Sequence, residues 1–170
     1  MKKLALAILL CMLCAVGAHA SDILVLTVNG VNCTTTTISG ITAGVELDAW
    51  QWGAGTTVTG SNGGVISLGK PSLAFLSLTK PTNKCSSAYL DLNLTGKVLS
   101  TVTVTQYSIN AVGKYTPQMV VTLTTAALTG YQVSGSTSGD PEESLSFAFQ
   151  KICLTNNVNN TSACYSGAGL

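Results

Sequence analysis

The side chains able to perform acid and base catalysis are few in this chain. Glu46 and Asp48 are two residues apart in a β-rich stretch, so they share one face of a strand. A pair of carboxylates on one face suits general acid and base catalysis, but on the outer side of a strand it is more typical of a solvated edge. Glu142 and Glu143 have the pattern of ordinary loop charges. We expect none of these four acids to be catalytic.

A serine nucleophile needs a base, and the single histidine, His19, lies in an amino-terminal segment with a targeting pattern. Two S-x-x-K spacings occur, and they are Ser67 to Lys70 and Ser77 to Lys80. Neither serine begins a helix pattern, and no S-D-N or K-T-G motif accompanies them. We therefore predict that the protein is not an enzyme.

Ligand sites are equally sparse. No Gly-rich phosphate loop of the P-loop or dinucleotide-binding type is present. Trp50, Trp52 and Tyr131 offer rings that can stack on a sugar or a base, but aromatic residues on half-buried strands usually belong to the core. We predict no catalytic site, no cofactor and no metal.

Residues 1–20 have the pattern of a secretory signal peptide. Two lysines begin the segment, an apolar run follows, and Ala18 and Ala20 form a small-residue cleavage site of the A-x-A kind. The apolar run is shorter than the roughly 20 residues that a helix needs to cross a bilayer, so we expect cleavage rather than a membrane anchor. The mature chain then begins at Ser21, in the periplasm or outside a bacterial cell.

The charge of the mature chain is close to neutral. Without the two lysines of the signal, six lysines and no arginine stand against seven acids, a net charge of −1. Phosphate binding depends on clustered lysine and arginine, so we predict that nucleic acid is not a partner.

The mature chain keeps four cysteines, which are Cys33, Cys85, Cys153 and Cys164. An even number in an exported chain predicts two disulfides, because the compartment is oxidising. A zinc site would normally show two cysteines within a C-x(2-4)-C spacing, and ten residues separate even Cys153 from Cys164. Three connectivities are possible, and we prefer Cys153 with Cys164 and Cys33 with Cys85.

Short β-rich segments separated by Gly, Ser, Asn and Pro dominate the chain, a pattern typical of an antiparallel barrel or sandwich. The expected strands are 23–28, 45–52, 73–79, 99–107, 119–128 and 145–154, with a hairpin connection at 53–64. Strict alternation in the fourth strand places Leu99 on the same face as Thr101. One helix is expected at 86–94, capped by Ser86 or Ser87 and ended by Gly96.

Residues 131–143 form a Ser-, Gly- and Thr-rich segment that is longer than most loops of a compact domain, which indicates an interaction element or disorder. We expect an assembly loop there, with Tyr131, Gln132, Ser134, Ser136, Asp140, Glu142 and Glu143 as its contact residues. Residues 155–170 are polar and are expected to form a carboxy-terminal tail. The domain itself is expected to span residues 21–154.

Five segments in this order resemble the haemolysin-coregulated protein family, Hcp, the tube subunit of type VI secretion. They are Asp22-Ile23-Leu24-Val25-Leu26 before Asn29-Gly30, Trp50-Gln51-Trp52-Gly53, Leu78-Thr79-Lys80-Pro81-Thr82-Asn83-Lys84 before the helix, Gly130-Tyr131-Gln132 with Ser134-Gly135-Ser136, and Glu143-Ser144-Leu145-Ser146-Phe147. The resemblance covers residues 22–154. It implies a small antiparallel β-barrel of two sheets with one short α-helix, which forms hexameric rings that stack into a hollow tube holding protein cargo.

The signal peptide departs from this family, whose tubes assemble in the cytoplasm. We therefore expect an exported structural subunit whose main partner is itself. One alternative is a secreted, monomeric binding module or effector-like protein that reuses the barrel and binds through residues 131–143. Another is a conventional type VI tube component whose amino-terminal extension is a misjudged start.

Overall fold

The computed structural model describes residues 22–36, 38, 41, 44–60, 66–137 and 139–167, so the predicted signal peptide lies outside the described residues. The strands are β1 Ile23–Val28, β2 Val45–Leu47, β3 Ala49–Gln51, β4 Ala54–Gly60, β5 Ile66–Leu73, β6 Leu76–Pro81, β7 Val98–Ile109, β8 Tyr115–Ser136, β9 Gly139–Asn156 and β10 Thr161–Ser166. The helix, α1, spans Ser86–Thr95. In this part of the chain, no helix is long and apolar enough to cross a membrane.

Eight strands form the main sheet, in the order β2-β1-β7-β8-β9-β6-β3, with β10 paired to β9. All of these pairings are antiparallel. The two end strands, β2 and β3, are consecutive in the chain and are separated only by Asp48, whose N–H donates to the carbonyl of Thr79 at 2.9 Å. The sheet therefore curls until its ends meet in one segment, and this nearly closed barrel confirms the predicted fold class.

Alternate residues of the strands fill the barrel interior. Leu76 and Leu78 on β6 and Leu145 and Phe147 on β9 are buried. Burying each such side chain stabilises the fold by about 1.5–3 kcal/mol. The predicted aromatic core is confirmed as well, because Trp50, Trp52 and Tyr131 are partly buried and pack against these residues.

The alternation breaks at one level of the sheet, where the cross-strand register of β7, β8 and β9 skips Ser100, Thr125 and Gln150. Thr125 has a φ of 50°, in the left-handed region that strands avoid. Inward-facing residues have odd numbers in β7 before this level and even numbers after it. Leu99 and Val102 are therefore both buried. The prediction that Leu99 shares a face with the threonines that follow it is therefore wrong.

The predicted helix is present, with small differences at its ends. Gly96 has a φ of 60° and ends the helix as expected, because glycine adopts the left-handed conformation without a steric cost. Its N-cap is Cys85 rather than Ser86 or Ser87. Tyr89 and Leu92 face the core, so α1 covers one side of the barrel.

Three predicted segments have a different structure from the one expected. The hairpin connection predicted at 53–64 contains a strand, β4, which pairs with β5. The strand predicted at 45–52 is divided at Asp48, because its halves pair with different strands, β1 and β6. The polar segment predicted as a tail after residue 154 contains the end of β9 and all of β10, which pair as a hairpin from Lys151 to Ser166. Backbone pairing with β9 makes this uncharged segment a strand although it lacks an apolar pattern.

Candidate assembly surface

Residues 131–137 and 139–143 form the end of the β8–β9 hairpin, which we call the arm. Gln132 pairs with Ser144, Ser134 with Glu142, and Ser136 with Gly139. The prediction of a loop is therefore wrong, because hydrogen bonding between the two strands continues almost to the tip. Among the predicted contact residues, Gln132, Ser134, Asp140 and Glu142 are exposed, Tyr131 is half-buried and Glu143 is buried.

A buried ion pair anchors the base of the arm. Lys80 on β6 and Glu143 on β9 are direct partners in the strand register, and Lys80 Nζ lies 2.6 Å from Glu143 Oε2. Both side chains have a relative exposure of 0%. Glu143 is therefore not the ordinary loop charge that its sequence context predicted.

Lys80 also connects the arm to the helix. Its Nζ donates to the carbonyl of Pro81 at 3.1 Å and to Ser86 Oγ at 3.4 Å. The same ammonium lies 5.6 Å from the centre of the Tyr89 ring, within the range of a cation–π contact. Four groups from β6, β9 and α1 thus replace the water that the ammonium loses on burial.

Two tyrosines near this pair have raised pKa values. Burial raises the pKa of Tyr89 above its ordinary value, and the negative charge of Glu143 raises it further. Burial also raises the pKa of Tyr131, with a smaller contribution from Glu143. Both phenols therefore stay neutral at physiological pH, beside one cation and one anion.

Sequence reasoning missed Lys80 as a site residue, although the alternation contains a signal for it. Lys80 follows Leu76 and Leu78 at spacings of two, so it falls on the inward face of β6. Glu143 likewise precedes Leu145 and Phe147 at inward positions of β9. A lysine and a glutamate at inward positions of neighbouring strands predict a buried pair.

The candidate serine and lysine at 77 and 80 are not brought together, whereas two of the candidate acids share a surface hollow. Ser77 is exposed and Lys80 is buried, on opposite faces of β6, so they form no serine–lysine pair. Glu46 and Asp48 line a shallow hollow of about 260 Å³ together with Asp22. Within the described ranges, no group of three or more His, Cys, Asp or Glu side chains is arranged to hold a metal ion.

The β4–β5 hairpin is the second exposed element. Its strands pair only with each other, in a two-stranded sheet separate from the barrel. Val58 and Leu68 are direct cross-strand partners, and they are 61% and 68% exposed. An isolated two-stranded hairpin is marginally stable in water, and this one carries an exposed apolar pair.

Two disulfides join the four cysteines in the pairing preferred from the sequence. Cys33 is bonded to Cys85, with a Cα–Cα distance of 5.7 Å, and this bond links the segment after β1 to the start of α1. Cys153 is bonded to Cys164, which is its register partner across β9 and β10.

Residues 26–155 match the model of a family described as type VI secretion system effector, Hcp. The chain belongs to the Hcp family. This is the family that the sequence resembled, and it is a structural family of a secretion system rather than a family of enzymes. No curated protein sequence showed significant similarity to the chain.

Solved Hcp structures share the fold at low sequence identity. Hcp1 from the E. coli EAEC 042 pathovar, solved as a double mutant, is 16% identical with a TM-score of 0.72, over 86% of this chain and 98% of that one. Hcp1 from Salmonella typhimurium is 15% identical with a TM-score of 0.70, over 86% and 95%. A type VI secretion system effector from Yersinia pestis is 18% identical with a TM-score of 0.65, over 85% and 99%.

The match to the Hcp family ends before the last hairpin closes. β10, which spans Thr161–Ser166, lies after the matched residues 26–155. Cys153 is inside the matched region and Cys164 is outside it, so the second disulfide joins β9 to a strand beyond the family match.

Proposed function

We propose that this protein is a non-enzymatic Hcp subunit that is exported and assembles with copies of itself into rings, which stack into a hollow tube. The observation that carries the proposal is the β4–β5 hairpin, which forms a sheet of its own and exposes Val58 opposite Leu68. Such a face needs a covering surface, and a neighbouring copy supplies one at every step of a ring.

The arm is the second proposed contact. It extends the sheet beyond the end of β6, and its charged residues Asp140 and Glu142 are exposed at its sides. A polar projection of this kind suits a contact between stacked rings better than the closing contact within one ring. The number of subunits is expected to be six, as in the family that the sequence resembles, and the lumen is expected to carry protein cargo.

Export is the second part of the proposal. It is supported by the signal-peptide pattern of residues 1–20 and by two disulfides, which persist in oxidising compartments. Intact mass spectrometry of protein recovered from the periplasm and the medium tests it. A mature product that begins at Ser21 with no free thiols is expected, and a full-length cytoplasmic product with reduced cysteines favours a conventional type VI tube component.

Assembly is tested on the mature, oxidised protein by native mass spectrometry and negative-stain microscopy. We expect rings, and stacked rings at high concentration. Val58→Lys should abolish ring formation, because it places a charge in the apolar contact. Val112→Lys is the matched control, since Val112 is 85% exposed in the turn between β7 and β8. A wild-type protein that stays monomeric at high micromolar concentration contradicts the tube and favours a monomeric binding module.

A further inference from the structure

The Cys33–Cys85 disulfide lies next to the contacts that cover the buried ion pair. Cys85 is fully buried, and its N–H donates to Asn83 Oδ1 at 2.9 Å. The N–H of Asn83 in turn donates to Ser86 Oγ at 2.9 Å, and the same oxygen accepts a bond from Lys80. A short series of contacts thus connects the disulfide to the ammonium that holds Glu143.

The other end of this disulfide lies in an irregular segment in which Val31 and Cys33 pack against the core. Residues 31–36 contain no strand and no helix. The N–H of Val31 donates to the carbonyl of Val28. The N–H groups of Thr35 and Thr36 both donate to the carbonyl of Gly44. The disulfide is the covalent attachment between this segment and α1.

We propose that Cys33–Cys85 is a redox latch for the arm. In the oxidised protein it holds the first turn of α1 over the Lys80–Glu143 pair, and the pair holds the base of the arm. In the reduced protein the first turn of α1 opens, water reaches the pair, and the arm loses its fixed position. The latch rests on the proposed function, because the arm matters only if it is an assembly contact.

The physical basis is the sensitivity of a buried ion pair to its surroundings. Two charges in a protein interior are tolerated only with excellent geometry and with further hydrogen bonds. Ser86 and Tyr89 supply two of the contacts to Lys80, and both belong to the helix that Cys85 begins. Different regions of a fold open locally at different costs in free energy, and release of Cys85 is expected to lower that cost at this corner first.

The redox step is ordinary thiol–disulfide exchange. A thiolate of an external dithiol attacks one sulfur and breaks the Cys33–Cys85 bond, and its second thiol closes a cyclic disulfide. Two protons and two electrons pass to the protein, which then carries two thiols. In the export compartment, a catalyst that carries a disulfide oxidises the two thiols back to the Cys33–Cys85 bond and is itself reduced to a dithiol. A subunit made in a reducing cytoplasm would therefore keep a loose arm and become competent for assembly only after export.

The second disulfide provides a matched control. Cys153–Cys164 lies on the same strand, β9, but ten residues beyond Glu143, and joins it to β10. Neither cysteine is among the groups that contact Lys80, which are Glu143, Pro81, Ser86 and Tyr89. Reduction of this bond should leave the arm unchanged.

Hydrogen exchange on dilute, monomeric protein tests the latch. In a Cys153→Ser, Cys164→Ser variant, dithiothreitol should speed exchange of the arm amides by at least about tenfold, while β7 amides stay protected. In a Cys33→Ser, Cys85→Ser variant, dithiothreitol should change nothing in the arm, and its exchange should already be fast. If that variant does not fold, the control is wild-type protein in which only Cys153–Cys164 is reduced, and its arm exchange should stay slow.

Three outcomes overturn the latch. They are unchanged arm exchange after Cys33–Cys85 is reduced, equal acceleration after Cys153–Cys164 is reduced, and simultaneous loss of protection in β7, which indicates global unfolding. The readout does not require assembly, so a protein that never forms rings can still show the latch. Conversely, rings that form equally well in both redox states, with a mobile arm in the reduced state, contradict the arm as a contact and leave the latch standing.

Discussion

Lys80 and Glu143 face each other directly across β6 and β9, with Nζ 2.6 Å from Oε2 and no exposed surface on either side chain. Lys80→Met should lower the free energy of unfolding by about 3–5 kcal/mol, because it leaves a buried carboxylate without its partner. Glu143→Gln should have an effect of the same sign, since the ammonium then lacks a counter-charge. Urea unfolding measures both changes.

The control for this prediction is the double variant Lys80→Met, Glu143→Leu. It removes both charges and keeps similar volumes, so its stability should return to within about 1–2 kcal/mol of the wild type. Strictly additive losses in the double variant would show that the two residues act independently and would contradict the role of the pair.

The raised pKa of Tyr89 predicts a loss of stability at alkaline pH. In the unfolded chain the phenol has its ordinary pKa of 10.0, and in the fold its pKa is higher because of burial and the nearby Glu143. The stabilisation is complete below the unfolded pKa and is lost as pH rises toward the folded pKa. Tyr89→Phe should therefore lose less stability than the wild type between about pH 9 and pH 11, as measured by thermal unfolding. Parallel curves for the two proteins would contradict the shift.

The two disulfides should differ in their effect on stability. Their sequence separations are 52 for Cys33–Cys85 and 11 for Cys153–Cys164. On loop entropy alone, removing them should cost about 4 and about 3 kcal/mol respectively. Melting temperatures of the two double-serine variants test the order, and a larger loss on removal of Cys153–Cys164 would contradict it.

The order of reduction should be the reverse of the order of stabilisation. Cys164 is exposed and Cys85 is fully buried, so a small thiol reaches the Cys153–Cys164 bond first. Alkylation of the released thiols at increasing times, followed by peptide mass spectrometry, gives the order. Earlier labelling of Cys33 and Cys85 would show that the latch region is open in the native protein.

Gly44 should not tolerate a side chain. Its φ is +129°, and a Cβ there would collide with Cγ1 of Val25 and lie 2.8 Å from the carbonyl oxygen of Leu26. Gly44→Ala should therefore destabilise the protein by about 1–3 kcal/mol, through strain and displacement of β1. Gly53→Ala is the control, because no atom lies within 4 Å of its Cβ position. Equal unfolding curves for the two variants would contradict this account.

The sequence predicted those elements whose apolar residues alternate or whose ends carry clear stop signals. β1 and the Gly96 end of α1 are examples, because local chemistry determines them. The break at Asp48 was not predictable, since residues on both sides suit a strand. It arises from the pairing of the two halves with opposite ends of the sheet.

The arm and β10 escaped prediction for a different reason. Both are rich in Ser and Thr, and the arm also contains Gly, Asp and Pro, which favour turns when considered locally. Pairing with β9 over long stretches overrides that preference, since strand propensity depends strongly on tertiary context. The Lys80–Glu143 pair is the opposite case, because the inward positions of both residues were present in the alternation.

Asp48 joins the first and last strands of the main sheet, so the barrel has a single seam. The barrel is closed only when segment 45–51 is paired with both β1 and β6. A protease cut at Asp48 would separate the halves of the seam and give two strand edges of three residues each, held only by β1 and β6. Resistance of this exposed bend to proteolysis thus reports directly on whether the barrel has closed.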